Sequence, residues 1–162
     1  MAYFEWTEEM SVGVELLDAD HRALINWINQ LESISEEATR DIHWDDWFRK
    51  LNNYIRFHFS REEKVMETCG FQELVDHRQE HLRFEQEVAA LREHCHPGME
   101  VSLVARLLEL LRYWLKDHIL VSDRKYVRYV ALDPKLARQV ASVFGPSLDD
   151  PYWSTLRADD QC

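Results

Sequence analysis

Hydrophobic residues recur along most of the chain at alternating intervals of three and four residues, the repeat expected of amphipathic α-helices. Four long segments carry this repeat, and only short breaks separate them. The segments cover residues 18–37, 41–68, 71–94 and 100–131. Asp18 is a candidate N-cap for the first helix, Gly70 ends the second, and Asp133-Pro134 ends the fourth. The pattern therefore predicts a chain built from a few long helices.

Short connections between long helices place neighbouring helices antiparallel. We therefore expect an all-α fold, an up-down-up-down antiparallel four-helix bundle. Residues 1–17 contain several aromatic side chains and are predicted to form an N-terminal arm that packs across the bundle. Arm and bundle together make one domain, residues 1–131. A short amphipathic helix over residues 134–144 and a polar, irregular tail make up the C-terminal segment, residues 132–162.

The amino-acid composition agrees with this fold. The chain has 162 residues, which is long enough for one domain with a substantial core. Hydrophobic residues make up 46% and charged residues 30%, as is typical of a soluble globular protein. Only four glycines and four prolines occur, so the chain has few turn-forming residues, and this favours long helices.

Charge and cysteine content exclude several kinds of partner and location. A net charge of −11 argues against nucleic acid and anionic membranes, because both bind clustered Lys and Arg. No apolar run reaches the roughly 20 residues of a membrane span, and the N-terminal residues lack a signal-peptide pattern. Cys69, Cys95 and Cys162 are odd in number and follow no disulfide or metal motif. We expect a reduced, cytoplasmic protein in which Cys69 and Cys95 are bystanders.

Six polar residues interrupt the apolar stripes of the predicted helices at positions where leucine is expected. They are His21, His58, Glu62, His77, His81 and His118. Burying one unpartnered polar side chain costs roughly 2–7 kcal/mol, whereas a whole domain is stable by only about 5–15 kcal/mol. Either a hydrogen-bonded network or metal ions must therefore stabilise the six. Imidazoles are poor partners for one another and good metal ligands, which favours metal.

The spacing of the polar residues supports a metal site. His58 and Glu62 are four residues apart, so both lie on one face of their helix. The same spacing separates the two histidines of the HRQEH segment. Asp123 follows His118 by five residues, and it reaches the same face only through an irregular helical turn or a long lean of its side chain.

The pattern as a whole resembles that of the hemerythrin family, in particular its bacterial members. The resemblance rests on the segments LDADHRALINWINQL, FHFSREEKVM, HRQEH and HILVSD, and on the opening FEWTEEMSVGVELLDADH. It covers roughly residues 3–130 and fills all seven ligand positions of the family. Those positions are His21, His58, Glu62, His77, His81, His118 and Asp123. Seven matches in the right order are far more specific than one short motif.

The resemblance implies a centre of two non-haem iron ions between the helices. The ligands would divide into His77, His81 and His118 on one iron, His21 and His58 on the other, and Glu62 and Asp123 as bridges alongside an oxo or hydroxo group. The iron with two histidines keeps an open position, where proteins of this family bind dioxygen. The matching oxygen pocket is apolar and comprises Leu24, Ile28, Phe59, Trp114, Leu115 and Ile119.

The HRQEH segment also has a competing interpretation. It matches H-x-x-E-H, the inverted zinc-peptidase motif, in which Glu80 would act as general base. A peptidase site would leave the polar core residues of the other three helices unused, so we expect Glu80 to be a solvated helix residue. We also expect His43, His94 and His96 to be solvated rather than part of a second metal site.

The leading hypothesis for function is reversible dioxygen binding for storage, scavenging or delivery, without enzymatic activity. A protein partner that consumes oxygen or signals is compatible with it. One alternative is an oxygen or redox sensor that acts through the C-terminal tail, where Tyr152 and Trp153 could fold back over the bundle or belong to a disordered end. Another is a di-iron oxidase, peroxidase or nitric oxide reductase. Five imidazoles with two carboxylates favour reversible binding over high-valent chemistry.

Overall fold

The computed structural model describes residues 4–34 and 38–143, and the regular structure in these two ranges is entirely helical. The elements are α1 (Glu15–Ser33), α2 (Trp44–Thr68), α3 (Leu74–Glu93), α4 (Glu100–Asp117), α5 (Arg124–Val130) and α6 (Pro134–Ser142), with 3-10 turns at Glu8–Met10 and Ala38–Asp41. The predicted all-α class is confirmed for the described residues. Within them, no helix combines the length and the hydropathy needed to cross a membrane. The predictions for the tail, including Cys162, Tyr152 and Trp153, lie outside the described residues.

The start of α1 differs from the prediction. The helix begins at Glu15, and Asp18 lies within it, so the assignment of Asp18 as N-cap is wrong. The Asp18 carboxylate instead accepts the Val12 N–H at 2.8 Å and the Ser11 hydroxyl at 2.6 Å. Gly13 lies just after them with φ +82°, a conformation that favours glycine and turns the arm back towards the helix. The carboxylate thus fastens the N-terminal arm to α1.

The fourth predicted helix is interrupted at the point where the ligand spacing requires it. After α4, residues His118–Ser122 form a π-helical turn, and α5 follows. The Asp123 N–H donates to the His118 carbonyl oxygen at 2.9 Å, a bond across five residues. A π turn places residues five apart on one face, as a regular helix does for residues four apart. Of the two ways in which Asp123 was expected to reach the site, the structure shows the irregular turn.

Buried hydrophobic residues form two clusters, and the polar core residues lie between them. The larger cluster fills the space between α1, α2, α3 and α4 and includes Ile28, Leu51, Val88 and Leu107. The smaller cluster joins the arm and α6 to the bundle and includes Leu17, Val65, Tyr126 and Ala137. Helices α1 and α3 run from the smaller cluster towards the larger one, whereas α2 and α4 with α5 run the opposite way.

Candidate metal centre

The seven predicted ligand residues converge between the two hydrophobic clusters. All of them are buried, with exposed fractions between 0% and 3%: His21, His58, Glu62, His77, His81, His118 and Asp123. Two groups of them bring potential ligand atoms within 4.8 Å of one another. The first group contains Glu62 with three histidines, and the second contains Glu62 with two histidines.

The three-histidine group is built from α2, α3 and the π turn. Glu62 Oε2 lies 3.1 Å from His81 Nε2, 3.4 Å from His77 Nε2 and 4.0 Å from His118 Nε2. Asp123 Oδ1 lies 3.1 Å from His118 Nε2 and 3.5 Å from His77 Nε2. Three imidazole nitrogens and two carboxylate oxygens therefore point towards one small volume.

The two-histidine group is built from α1 and α2. His21 Nε2 lies 3.1 Å from His58 Nε2, and Asp123 Oδ2 lies 3.5 Å from His21 Nε2. Asp123 thus directs one carboxylate oxygen to each group. Glu62 belongs to both groups, although the Tyr126 hydroxyl donates to its Oε1 at 2.7 Å. Each of the two groups could hold a metal ion.

Three further acidic residues support the histidines from outside. Asp20 Oδ2 lies 3.1 Å from His58 Nδ1. Glu63 Oε1 lies 2.8 Å from His81 Nδ1, and Glu80 Oε2 lies 3.3 Å from His118 Nδ1. The expectation that Glu80 is only a solvated helix residue is wrong, because its half-buried side chain contacts a core histidine. An Nδ1–H that donates to a carboxylate fixes the orientation of the imidazole ring. It also leaves Nε2 unprotonated, with its lone pair facing the centre.

These supporting acids were not predicted from the sequence, although they have a common signature. Each one is the sequence neighbour of a predicted ligand, and each supports a histidine on the next helix. Asp20 precedes His21 on α1, and it contacts α2. Glu63 follows Glu62 on α2 and contacts α3, and Glu80 on α3 contacts the π turn. The pairs follow the chain order of the helices around the bundle.

The chemistry of the site fits metal ions. His81 and His118 both direct Nδ1 to a carboxylate, yet their Nε2 atoms are only 3.1 Å apart. Two lone pairs at that distance repel unless a proton or a cation lies between them. Glu62 Oε2, His77 Nε2 and both Asp123 oxygens have no hydrogen-bond partner among the described residues. One proton joins only two atoms, whereas a cation bound by imidazole and carboxylate, as iron is, would satisfy the whole set.

Charge in the metal-free site is divided unequally among the histidines. Burial lowers the pKa of His21 to about 4, and neighbouring His58 adds to the effect. Burial also acts to lower the pKa of His58 and of His118. For these two, nearby carboxylates outweigh burial, and both pKa values are raised. Burial acts to raise the pKa of Glu62, but the three imidazoles that face its carboxylate hold that pKa well below its usual value of 4.5. Of His21, His58 and His118, His21 therefore resists protonation most.

Acid should destabilise the metal-free protein between about pH 6.5 and pH 4.5. His21 has a folded-state pKa of about 4 against 6.5 for an ordinary histidine, so its contribution to stability is present above pH 6.5 and lost as the pH falls. Two pH units correspond to a loss of roughly 3 kcal/mol. In this window His58 and His118 are protonated in both folded and unfolded chains, since their folded pKa values are raised. Denaturant unfolding of chelator-treated protein at several pH values measures the slope of the free energy of unfolding against pH. His21→Leu should flatten it, and an unchanged slope in that variant would contradict the assignment.

The predicted oxygen-pocket residues all belong to the larger hydrophobic cluster. Trp114 is partly buried, and the other five are buried: Leu24, Ile28, Phe59, Leu115 and Ile119. Phe59 stacks on His81 with 3.7 Å between ring centroids, and Trp114 stacks on His118 at 4.2 Å. On the arm, Trp6 stacks on His21 at 6.5 Å. Apolar side chains therefore cover the histidine rings.

The remaining predicted bystanders lie away from the centre. His43, His94 and His96 are exposed, which confirms that they are solvated. Cys69 and Cys95 are partly buried and free of disulfide bonds. Burial raises the pKa of both thiols, so neither is activated as a thiolate.

Comparison with known proteins agrees with the geometry. The family described as the hemerythrin HHE cation binding domain matches residues 12–130, which include every residue of the centre. The chain belongs to the hemerythrin family. Its relatives within the hemerythrins include a bacteriohemerythrin of Clostridium acetobutylicum, 29% identical over 127 residues that make up 76% of this chain and 98% of the relative. A bacteriohemerythrin of Stenotrophomonas maltophilia is 27% identical over 80% of this chain and 83% of the relative. A hemerythrin-like protein of Naegleria gruberi is 24% identical over 76% of this chain and 90% of the relative.

Proposed function

We propose that this hemerythrin binds dioxygen reversibly at a pair of non-haem iron ions and serves in oxygen storage, scavenging or delivery. The observation that carries the proposal is the unequal division of the buried ligands into a three-histidine and a two-histidine group. The resemblance to hemerythrins assigns His77, His81 and His118 to one ion and His21 and His58 to the other. Glu62 and Asp123 lie between the groups, as bridging carboxylates must.

The unequal division supplies a place for the ligand. When bound, the iron pair supplies the open coordination position and the electrons that dioxygen binding requires. The protein side chains determine where that position lies, because one group offers fewer imidazoles than the other. His21 and His58 enter this group from the α1 and α2 side of the bundle.

Apolar side chains in the same cluster favour reversible binding. Leu24 and Ile28 follow His21 along α1, and Ile119 follows His118 in the π turn; all three are at most 2% exposed. Water at the centre would promote loss of the bound oxygen and irreversible oxidation of the iron. A dry environment also strengthens the electrostatic interactions among the ligands.

The position of the acids supports a carrier rather than an enzyme. Asp20, Glu63 and Glu80 contact the outer Nδ1 atoms of the histidines. Acids held there orient the ligands and are turned away from the apolar interior, where an acid–base catalyst would have to reach a substrate.

The iron-loaded protein tests the proposal. After anaerobic reduction, exposure to air should produce a visible charge-transfer band, and removal of oxygen should abolish it over repeated cycles. Iron analysis of the same sample should give two ions per chain. His94→Leu, at the exposed end of α3, is the matched control and should behave like the unaltered protein. Irreversible oxidation on first exposure, or turnover of peroxide or nitric oxide, would favour the enzymatic alternative instead.

A further inference from the structure

A fully buried ion pair lies against the outer edge of His58. Asp20 and Arg61 are both 0% exposed, and Arg61 Nη1 donates to the two Asp20 carboxylate oxygens at 2.8 and 2.6 Å. The same carboxylate is the partner of His58 Nδ1. The Tyr54 hydroxyl donates to the Asp20 carbonyl oxygen. A guanidinium is rarely buried completely, because its desolvation is costly.

The ion pair also connects the backbone segments that carry the two-histidine group. Asp20 directly precedes His21 on α1, and Arg61 directly precedes Glu62 on α2. One contact between these helices therefore fixes the relative position of three proposed ligands.

The carboxylates that support the three-histidine group are placed differently. The Glu63 side chain is 23% exposed and is paired with Arg78, which is 44% exposed. The Glu80 side chain is 29% exposed. Water therefore screens the charge of both glutamates, whereas the charge of Asp20 is compensated inside the protein by a buried cation. Two histidines of the three-histidine group therefore contact solvent-screened carboxylates, whereas His58 contacts a buried carboxylate that is neutralised by an ion pair.

We propose that Asp20 and Arg61 are positioning residues that hold His58 through an electrically compensated carboxylate and so keep the reduction potential of the two-histidine iron high. A carboxylate that accepts Nδ1–H makes the imidazole a stronger electron donor to its metal. The positive charge of the adjacent guanidinium offsets this increase in electron donation, whereas the hydrogen bond still fixes the orientation of the ring. The two-histidine ion then stays ferrous, the form that binds dioxygen. This inference rests on the proposed function, because it assumes iron at the site.

The midpoint potential of the iron-loaded protein tests the inference in a double-mutant cycle. Asp20→Asn keeps an acceptor for His58 and removes the negative charge, so the potential should rise. Arg61→Met leaves the carboxylate uncompensated, so the potential should fall. The double variant loses both charges and should return close to the unaltered value. Shifts of the same sign in both single variants, or a double variant far from the starting potential, would overturn the proposal.

Matched variants separate this role from a purely structural one. Glu63→Gln removes a screened carboxylate from the other half and should shift the potential less than Asp20→Asn. Arg61→Lys keeps the charge and should restore the potential that Arg61→Met loses. If Arg61→Met does not fold, Asp20→Asn still decides the matter, since a potential that falls or stays unchanged in that variant would overturn the proposal. The double variant buries no unpaired charge and is suited to a metal-affinity measurement. Mutation of a residue that hydrogen-bonds to a metal ligand typically lowers metal affinity by about 10- to 100-fold. The affinity of the double variant for Co²⁺ should fall by less than this, because the hydrogen bond to His58 remains.

These readouts are independent of oxygen binding. Potential and Co²⁺ affinity are measured without dioxygen, so a protein that holds iron but oxidises irreversibly would refute the proposed function and leave this inference testable. Conversely, reversible oxygenation with no opposed shifts in the cycle would refute the role of the ion pair alone.

Discussion

Replacing His21 with leucine should stabilise the metal-free protein and remove oxygen binding from the iron-loaded one. His21 is 1% exposed, and its Nδ1 has no hydrogen-bond partner among the described residues. An unsatisfied buried polar group costs about 1–3 kcal/mol, which leucine avoids while filling a similar volume. At pH 7 the ring is neutral, since burial lowers its pKa to about 4, so no charge is lost with it.

The same substitution should have the opposite effect once iron is present. The two-histidine group loses one of its two imidazoles, and the second iron should no longer be retained. A ligand present at a thousand times its dissociation constant stabilises the folded state by about 4 kcal/mol, and the variant forgoes that contribution. Denaturant unfolding with and without iron, together with iron analysis, measures both effects. A metal-free variant less stable than the parent, or one that still holds two irons, would contradict the account.

The helices and the six polar core residues were predictable from the sequence because both follow one periodicity. The amphipathic pattern determines which residues of a helix face the core, and His58 and His77 are polar residues at core-facing positions where apolar ones are expected. The five-residue step from His118 to Asp123 indicated either an irregular turn or a leaning side chain, and a π turn is found there. Local spacing was sufficient for these features.

Other features depend on how the helices are rotated against one another. The contact of Glu80 with His118 joins α3 to the π turn, and no spacing along one helix reveals it. Arg61 is 0% exposed although arginine is normally a surface residue, and only the facing Asp20 on α1 explains its burial. The Asp18 assignment failed for a related reason. Its partners Ser11 and Val12 lie in the arm, whose return path depends on Gly13.

Replacing Phe59 with alanine should both destabilise the fold and shorten the lifetime of the oxygenated protein. Phe59 is 4% exposed and lies parallel to the His81 ring, with 1° between the planes and 3.7 Å between centroids. Removal of a buried phenylalanine side chain costs about 3–5 kcal/mol. It also opens space against His81 and His58, where water could reach the proposed iron pair. Denaturant unfolding and the decay of the charge-transfer band in air measure the two effects.

Loss of stability alone should not shorten the lifetime of the charge-transfer band, and Leu51→Ala is the control that separates the loss of stability from the shorter lifetime. Leu51 is 0% exposed in the same hydrophobic cluster, but it lies two helical turns from His58, roughly 10 Å along α2. Its truncation should cost about 2–5 kcal/mol and leave the band lifetime unchanged. Phe59→Leu, which keeps an apolar side chain over His81, should fall between the parent and the alanine variant in both measurements. Equal band lifetimes in the two alanine variants would mean that Phe59 only fills space. A shorter lifetime confined to Phe59→Ala would show that its ring keeps water from the centre.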